Sequence, residues 1–177
     1  MEGLDVTTVQ RILVMGVSGS GKSHVGRLLA ARLGATFIDG DDHHSPASID
    51  KMGLGIPLDD EDRREWLEAL AGFLADHRER QAPLVIGCSA LKRRYRDTLR
   101  RGDPGLAILF LNGSREQLRQ RLGQREGHFF KGDTMLDSQL ADLEPPGADE
   151  ALTLDIAWSP EVLVETFLRW QAAGSEA

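Results

Sequence analysis

Gly16-Val17-Ser18-Gly19-Ser20-Gly21-Lys22-Ser23 decides how this chain folds. It satisfies G-x-x-x-x-G-K-[ST] in full, follows the apolar run Ile12-Leu13-Val14-Met15, and precedes Val25, Leu28, Leu29 and Leu33 at helical spacing. Strand, loop and helix in that order are the context in which such a loop wraps a phosphate chain. Glycines let several backbone N–H groups converge on one dense anion. The helix opening near Lys22 adds the positive end of its dipole. Lys22 reaches the β- and γ-phosphates, and the Ser23 hydroxyl can ligate a bridging magnesium ion. The candidate nucleotide site is therefore Gly16, Val17, Ser18, Gly19, Ser20, Gly21, Lys22 and Ser23. His24 adjoins it, although by itself it reads as a helix-surface residue. A Gly/Ser turn that happens to contain lysine is the plain alternative, and both flanking elements argue against it.

Outward from this loop, strand-like apolar runs recur at 11–15, 35–38, 84–86, 106–111 and 152–156, with helical periodicity between or after them. That alternation predicts an α/β fold: a five-stranded parallel sheet with helices on both faces, in three layers. At 177 residues one domain spanning 1–177 is expected, with no repeat and no low-complexity linker.

Charge narrows the partners. With 21 basic and 28 acidic residues the net charge is −7, which disfavours a nucleic-acid groove while permitting local anion pockets. Cys88 is the only cysteine, so no intrachain disulfide or Cys-rich metal site can form. The longest clean apolar run, 106–111, is far too short to span a bilayer, and residues 1–10 lack a leader-like pattern. These features predict a cytoplasmic protein with no membrane partner.

Beyond the second strand comes Asp39-Gly40-Asp41-Asp42-His43-His44. Ligands of open α/β sheets bind past the carboxyl ends of strands, so two carboxylates here suit phosphoryl transfer. Asp39 is assigned to the metal side and Asp41 to the acceptor, as a catalytic residue. Turn and capping duty is the alternative for both. Adjacent histidines diverge, which argues against zinc; His44 better suits hydrogen bonding to a polyol.

Asp59 or Asp60 can cap a helix whose stripe of Trp66, Leu67, Leu70, Phe73 and Leu74 reads as core. Arg63 opens that helix against its dipole, compatible with an anionic ligand or with a pair to Asp59 or Asp60. His77 reads as surface, and Arg93, Arg94, Arg96, Arg100 and Arg101 read mainly as a solvated face. No strand closes on Asp-Asp or Asp-Glu, and no Asn-Lys-x-Asp occurs; the pattern favours a small-molecule kinase over a motor or GTP switch. Arg121 and Arg125 share a helical face, and Gly127-His128-Phe129-Phe130-Lys131-Gly132 combines hinges, aromatic bulk and cations. Together they suggest a mobile lid at about 121–135 that excludes water and brings arginines to the phosphoryl charge. An amphipathic hairpin is the alternative. In the closing helix, Val162, Leu163, Phe167, Leu168 and Trp170 are mostly core candidates, and the tail after Ala172 should fray.

Several blocks together resemble the gluconate kinases within the wider group of small P-loop kinases. They are the phosphate loop, Asp39-Gly40-Asp41 with His44, Lys51-Met52, Gly55-x-Pro57-Leu58-x-Asp60-x-Asp62-Arg63 with Trp66-Leu67, and Cys88-Ser89-Ala90-Leu91-Lys92 with Tyr95-Arg96-Asp97. Gly127-His128-Phe129-Phe130 and Met135-Leu136 with Ser138-Gln139 complete the set. The resemblance implies ATP- and magnesium-dependent phosphorylation of D-gluconate at its 6-hydroxyl, giving 6-phospho-D-gluconate, and more weakly a homodimer. It implies that Asp41 meets the acceptor, that His44, Lys51, Arg63, Arg96 and His128 belong to the substrate side, and that Arg121 and Arg125 belong to the nucleotide lid. Ser45, Ser48, Glu65 and Leu140 depart from the family pattern. A kinase for another small polyhydroxy acid such as shikimate, and a nucleotide-binding protein without transfer activity, are the competing readings.

Overall fold

The computed structural model describes residues 10–123 and 129–176. Five parallel strands are present among them: β1 (Arg11–Met15), β2 (Thr36–Asp39), β3 (Leu84–Gly87), β4 (Ala107–Asn112) and β5 (Leu152–Asp155), in the order β2-β3-β1-β4-β5. Each expected strand is found, with ends shifted by a residue at most. The first strand lies centrally, pairing with both β3 and β4. That register carries the loop after β1 to the middle of the sheet's carboxyl edge, where the strand order reverses and a crevice opens.

Side-chain alternation along β1 divides the interior in two. Ile12 and Val14 join one apolar cluster, while Leu13 and Met15 join the other. The first cluster includes Val25 and Leu29 of α1 (Lys22–Leu33), Leu118 and Leu122 of α5 (Arg115–Gly123), Leu136 of α6 (Phe129–Asp142), and Leu163, Val164 and Phe167 of α7 (Pro160–Glu176). The second takes Trp66, Leu67, Leu70 and Leu74 of α3 (Asp60–Glu79) with Tyr95 and Leu99 of α4 (Arg93–Gly102). A short α2 (Pro46–Gly53) follows, opened by the Ser45 hydroxyl, which accepts from the Ser48 N–H. The three layers expected from the sequence are thus present, each sheet face covered by its own set of helices.

Helix boundaries have local causes. Gly34 caps α1 in a left-handed conformation, with its N–H on the carbonyls of Ala30 and Ala31. Asp59, rather than Asp60, caps α3: its carboxylate accepts from the Asp62 N–H, and the Asp62 carboxylate accepts from the Asp59 N–H. Three sequence expectations need correction. His77 is buried, with Nδ1 2.8 Å from the Phe73 carbonyl, so its polar edge is satisfied within the helix. Val162 and Trp170 are exposed because the buried stripe of α7 is narrower than its apolar composition. Finally, α7 continues to Glu176, since no proline interrupts the tail after Ala172. No described helix is long and apolar enough to cross a membrane.

Candidate active site

The loop between β1 and α1 is shaped by its backbone. Gly19 and Gly21 have φ of 87° and 96°, a region costly for any residue with a Cβ. A Cβ on Gly19 would also stand 3.1 Å from Leu122 Cγ. Lys22 folds its ammonium back to within 3.5 Å of the Val17 carbonyl. Ser18, Gly19, Gly21, Lys22, Ser23 and His24 line a cavity of about 350 Å³ together with Arg27 and Asp41. Backbone donors, a helix N-terminus and two or more cations in one concavity make an anion cradle. Arg27 was not singled out from sequence; its place one turn after His24, at the loop's helix, was the available signal.

Asp39 serves two duties that the sequence offered as alternatives. One carboxylate oxygen accepts from the Asp41 N–H at 3.0 Å and caps the 3-10 turn Gly40–His43. The other accepts from the Ser23 hydroxyl at 3.0 Å. Two hard oxygen donors beside the cradle match magnesium, which takes one or two protein ligands and keeps phosphate and water for the rest. No group of three or more metal-ligating side chains exists among the described residues.

A second cavity, about 250 Å³, lies against the first and shares Ser18, Lys22 and Asp41 with it. Its further wall includes His44, Arg63, Trp66, Ser89 and Gln139. Trp66 is fixed by donating Nε1–H to the Gly40 carbonyl at 2.7 Å. Its indole stacks on His44, with ring centroids 4.0 Å apart, so this aromatic is both core and cavity wall. Burial lowers the His44 pKa below its ordinary value; Asp41 opposes that shift and Arg63 adds to it. The imidazole is therefore neutral near pH 7, and its buried Nδ1 has no partner among the described residues.

Arg63 pairs with neither Asp59 nor Asp60. Its Nη1 donates to the Tyr95 hydroxyl at 2.7 Å and to Asp142 at 3.3 Å, while Tyr95 in turn donates to Asp60. Nε and Nη2 have no hydrogen-bond partner among the described residues, and the side chain lines the second cavity. One edge of the guanidinium is thus held by protein and the other is available to a planar anion. Tyr95 and Asp142 were not recognised as its supports, because they stand 32 and 79 residues away.

Two residues placed on the substrate side do not reach this cavity. Arg96 is only 1% exposed: it donates to the carbonyls of Ala90, Leu91 and Glu144 and to the Glu150 carboxylate. Its guanidinium is consumed by protein, and it belongs neither to the sugar-acid side nor to the solvated face of α4. Lys51 is drawn to Asp62 at 2.8 Å, which leaves the cavity wall to its neighbour Met52. Arg121 bridges the Ser20 carbonyl at 3.3 Å and the Ile156 carbonyl at 2.6 Å and is not among the residues lining the cradle. Arg125 and His128 lie outside the described residues. Of the expected lid, α5 ends at Gly123 and α6 begins at Phe129.

The arrangement offers an anion cradle opening onto a polar and aromatic cavity through three shared residues. Comparison with known proteins gives that chemistry a family. A model described as an AAA domain, AAA_33, matches residues 12–146. The chain is 48% identical to the thermoresistant gluconokinase of Escherichia coli (strain K12) over 148 residues, covering 81% of this chain and 83% of that one. The crystal structure of a gluconokinase from Sinorhizobium meliloti 1021 superposes with a TM-score of 0.85 at 45% identity, covering 95% of this chain and 94% of that one. A shikimate kinase from Aquifex aeolicus vf5, at 17% identity and a TM-score of 0.53 over 95% of this chain and 99% of that one, shares the fold alone.

Proposed function

The chain belongs to the gluconokinases, and from that premise we propose that it transfers the γ-phosphoryl group of ATP to the 6-hydroxyl of D-gluconate, giving 6-phospho-D-gluconate and ADP. The observation that carries the site-level reading is the junction. Ser18, Lys22 and Asp41 line both the phosphate cradle and the neighbouring cavity, so a donor phosphate and an acceptor hydroxyl can meet there.

Each residue has a role suited to its surroundings. The loop backbone from Gly19 to Ser23 binds the phosphates, and Lys22 offers its ammonium to the β- and γ-oxygens after leaving the Val17 carbonyl. Ser23 and Asp39 would hold magnesium, which when bound neutralises phosphate charge. Asp41 orients the acceptor hydroxyl and receives its proton. At the other end of the cavity, the unpaired edge of Arg63 receives the sugar acid's carboxylate. Neutral His44 and the Trp66 face lie along the polyol, with His44 Nε2 4.0 Å from the Asp41 carboxylate. Because phosphoryl transfer proceeds through a loose transition state, holding the two reactants in line contributes more than strong base catalysis.

The direct test is incubation with magnesium-ATP and a panel of gluconate, shikimate and related acids, with products identified by mass. Gluconate should gain one phosphoryl group. A phosphorylated shikimate in its place would sink the substrate reading, and nucleotide binding without product would sink transfer altogether.

A further inference from the structure

The described part of α6 is joined to the phosphate loop by a long-range hydrogen bond. The backbone N–H of Ser18 donates to the Gln139 side chain at 2.7 Å, across 121 residues. A backbone N–H can only donate, so the amide atom it meets is the carbonyl oxygen Oε1. The orientation of the amide is thereby fixed. Its other end, the Nε2 group with two hydrogens, has no hydrogen-bond partner among the described residues, and Gln139 lines the acceptor cavity beside Ser18, Lys22 and Asp41.

A phosphoryl group crossing the junction spreads negative charge over three equatorial oxygens. Asp41 is an anion and cannot stabilise that charge. Arg63 lines the acceptor cavity but not the donor cavity, and its free edge is assigned to the carboxylate of the acceptor; Arg27 lines only the donor cavity. Among the described residues lining both cavities or their junction, Lys22 supplies one cationic donor group. Ser18, Ser89 and Ser138 bring hydroxyls that rotate freely to the acceptor cavity, whereas the Gln139 amide is already held by the loop and so offers a second, neutral donor group in a fixed orientation.

We propose that Gln139 is a catalytic residue of the transfer step, donating through Nε2 to the phosphoryl group as it passes from the cradle to the acceptor. The Ser18 N–H orients the amide in advance, so the donor needs no reorganisation when charge develops. This assignment rests on the kinase reading above, and it concerns the γ-phosphoryl group rather than the identity of the acceptor acid.

The decisive variant is Gln139→Glu. It keeps an oxygen for the Ser18 N–H but replaces both donors with a carboxylate oxygen. The expected result is a fall in kcat of about 10²–10³-fold, the cost typical of losing one such donor. Calorimetric titration should show ADP affinity unchanged and affinity for a nonhydrolysable ATP analogue about tenfold weaker, because only the analogue brings a γ-phosphate to the carboxylate. Gln139→Ala should also lose kcat, without the repulsion seen in analogue binding. Three results would overturn the proposal: wild-type kcat in Gln139→Glu, equal weakening of ADP and the analogue, or a rise in gluconate KM as the sole change. The nucleotide titrations need no acceptor, so they read Gln139 separately from the gluconate assignment, which the wild-type product analysis reads.

Discussion

Replacing Arg96 by methionine should unfold this protein more readily without acting first on gluconate binding. The guanidinium and the Glu150 carboxylate are 1% and 4% exposed and meet at 2.7 Å. Methionine fills much of the apolar volume of the stem but leaves Glu150 with Arg100, at 2.9 Å, as its remaining cation. The Ala90 and Glu144 carbonyls lose the donor that Arg96 supplies, whereas the Leu91 carbonyl keeps the Glu144 N–H at 2.8 Å. Each orphaned carbonyl costs about 1–3 kcal/mol. Breaking one side of a buried ion pair costs about 3–5 kcal/mol, and since these penalties overlap that range serves for the whole change. For a chain of this size the corresponding fall in Tm is roughly 6–20 °C. Ala90 is also held at φ 46°, between the cavity residues Ser89 and Leu91, so any loss of kcat should accompany the loss of stability. Urea unfolding monitored by tryptophan fluorescence, with kcat and gluconate KM measured on the folded variant, decides the matter. A wild-type urea midpoint with a raised gluconate KM would refute the reasoning and return Arg96 to the sugar acid.

Asp41→Asn should lower single-turnover rates by about 10²–10⁴-fold while leaving affinity for an ATP analogue unchanged; equal losses in the two measurements would count against its acceptor role. Burial, with Asp41 and Asp39 acting in the same direction, pushes the Cys88 thiol up to about 12, so iodoacetamide should label the protein only after unfolding, and rapid labelling of the native enzyme would contradict this. The folded state holds His44 below its ordinary pKa, so the unfolded chain takes up that proton first; the stability associated with neutral His44 is full above the unfolded pKa and is lost as pH falls toward the folded value. His44→Gln should flatten the corresponding slope of urea-derived stability as pH falls below the ordinary histidine range, and an unaltered slope would remove His44 as its source. Burial opposes ionisation of Glu150, but Arg96 and Arg100 outweigh it and keep that carboxyl below its ordinary range. Arg96→Met should therefore also lose stability at a higher pH than wild type as acid is added, and coincident acid-unfolding curves would contradict the pairing.

The donor half of the site was legible because it is local. Eight consecutive residues specify the phosphate loop, and the strand and helix that hold it adjoin it in sequence, so period, glycine placement and motif agree. Asp39 and Asp41 were legible for the same reason: they stand at the end of a recognisable strand. The acceptor half is built differently. Arg63 depends on residues 32 and 79 positions away, and Ser18 on one 121 positions away. No periodicity reports such pairings. Arg96 exposes the same limit: in α4 it stands among four other arginines, and charge count alone cannot tell the one that packs inward from those that meet solvent. Only the position of the Ala90, Leu91 and Glu144 carbonyls separates them.

That difference in construction predicts that lysine should not replace Arg63 in the acceptor cavity. One nitrogen of Arg63 is committed to Tyr95 and Asp142, joining α3 to α4 and to the last turn of α6. In the proposed pose the carboxylate of the sugar acid is met by the remaining nitrogens of the same planar group. An ammonium has its donors on a single atom and cannot hold a fixed protein contact at one edge while offering a parallel pair at another. Structural support and anion recognition are therefore coupled through one side chain, and the position of α6 is linked to the geometry presented to the acceptor. The phosphate cradle has no such dependence, since its donors are backbone groups set by glycine conformations within the loop itself. Changes in acceptor preference should accordingly arise in α3, α4 and α6, at some cost in stability, while the loop stays constant.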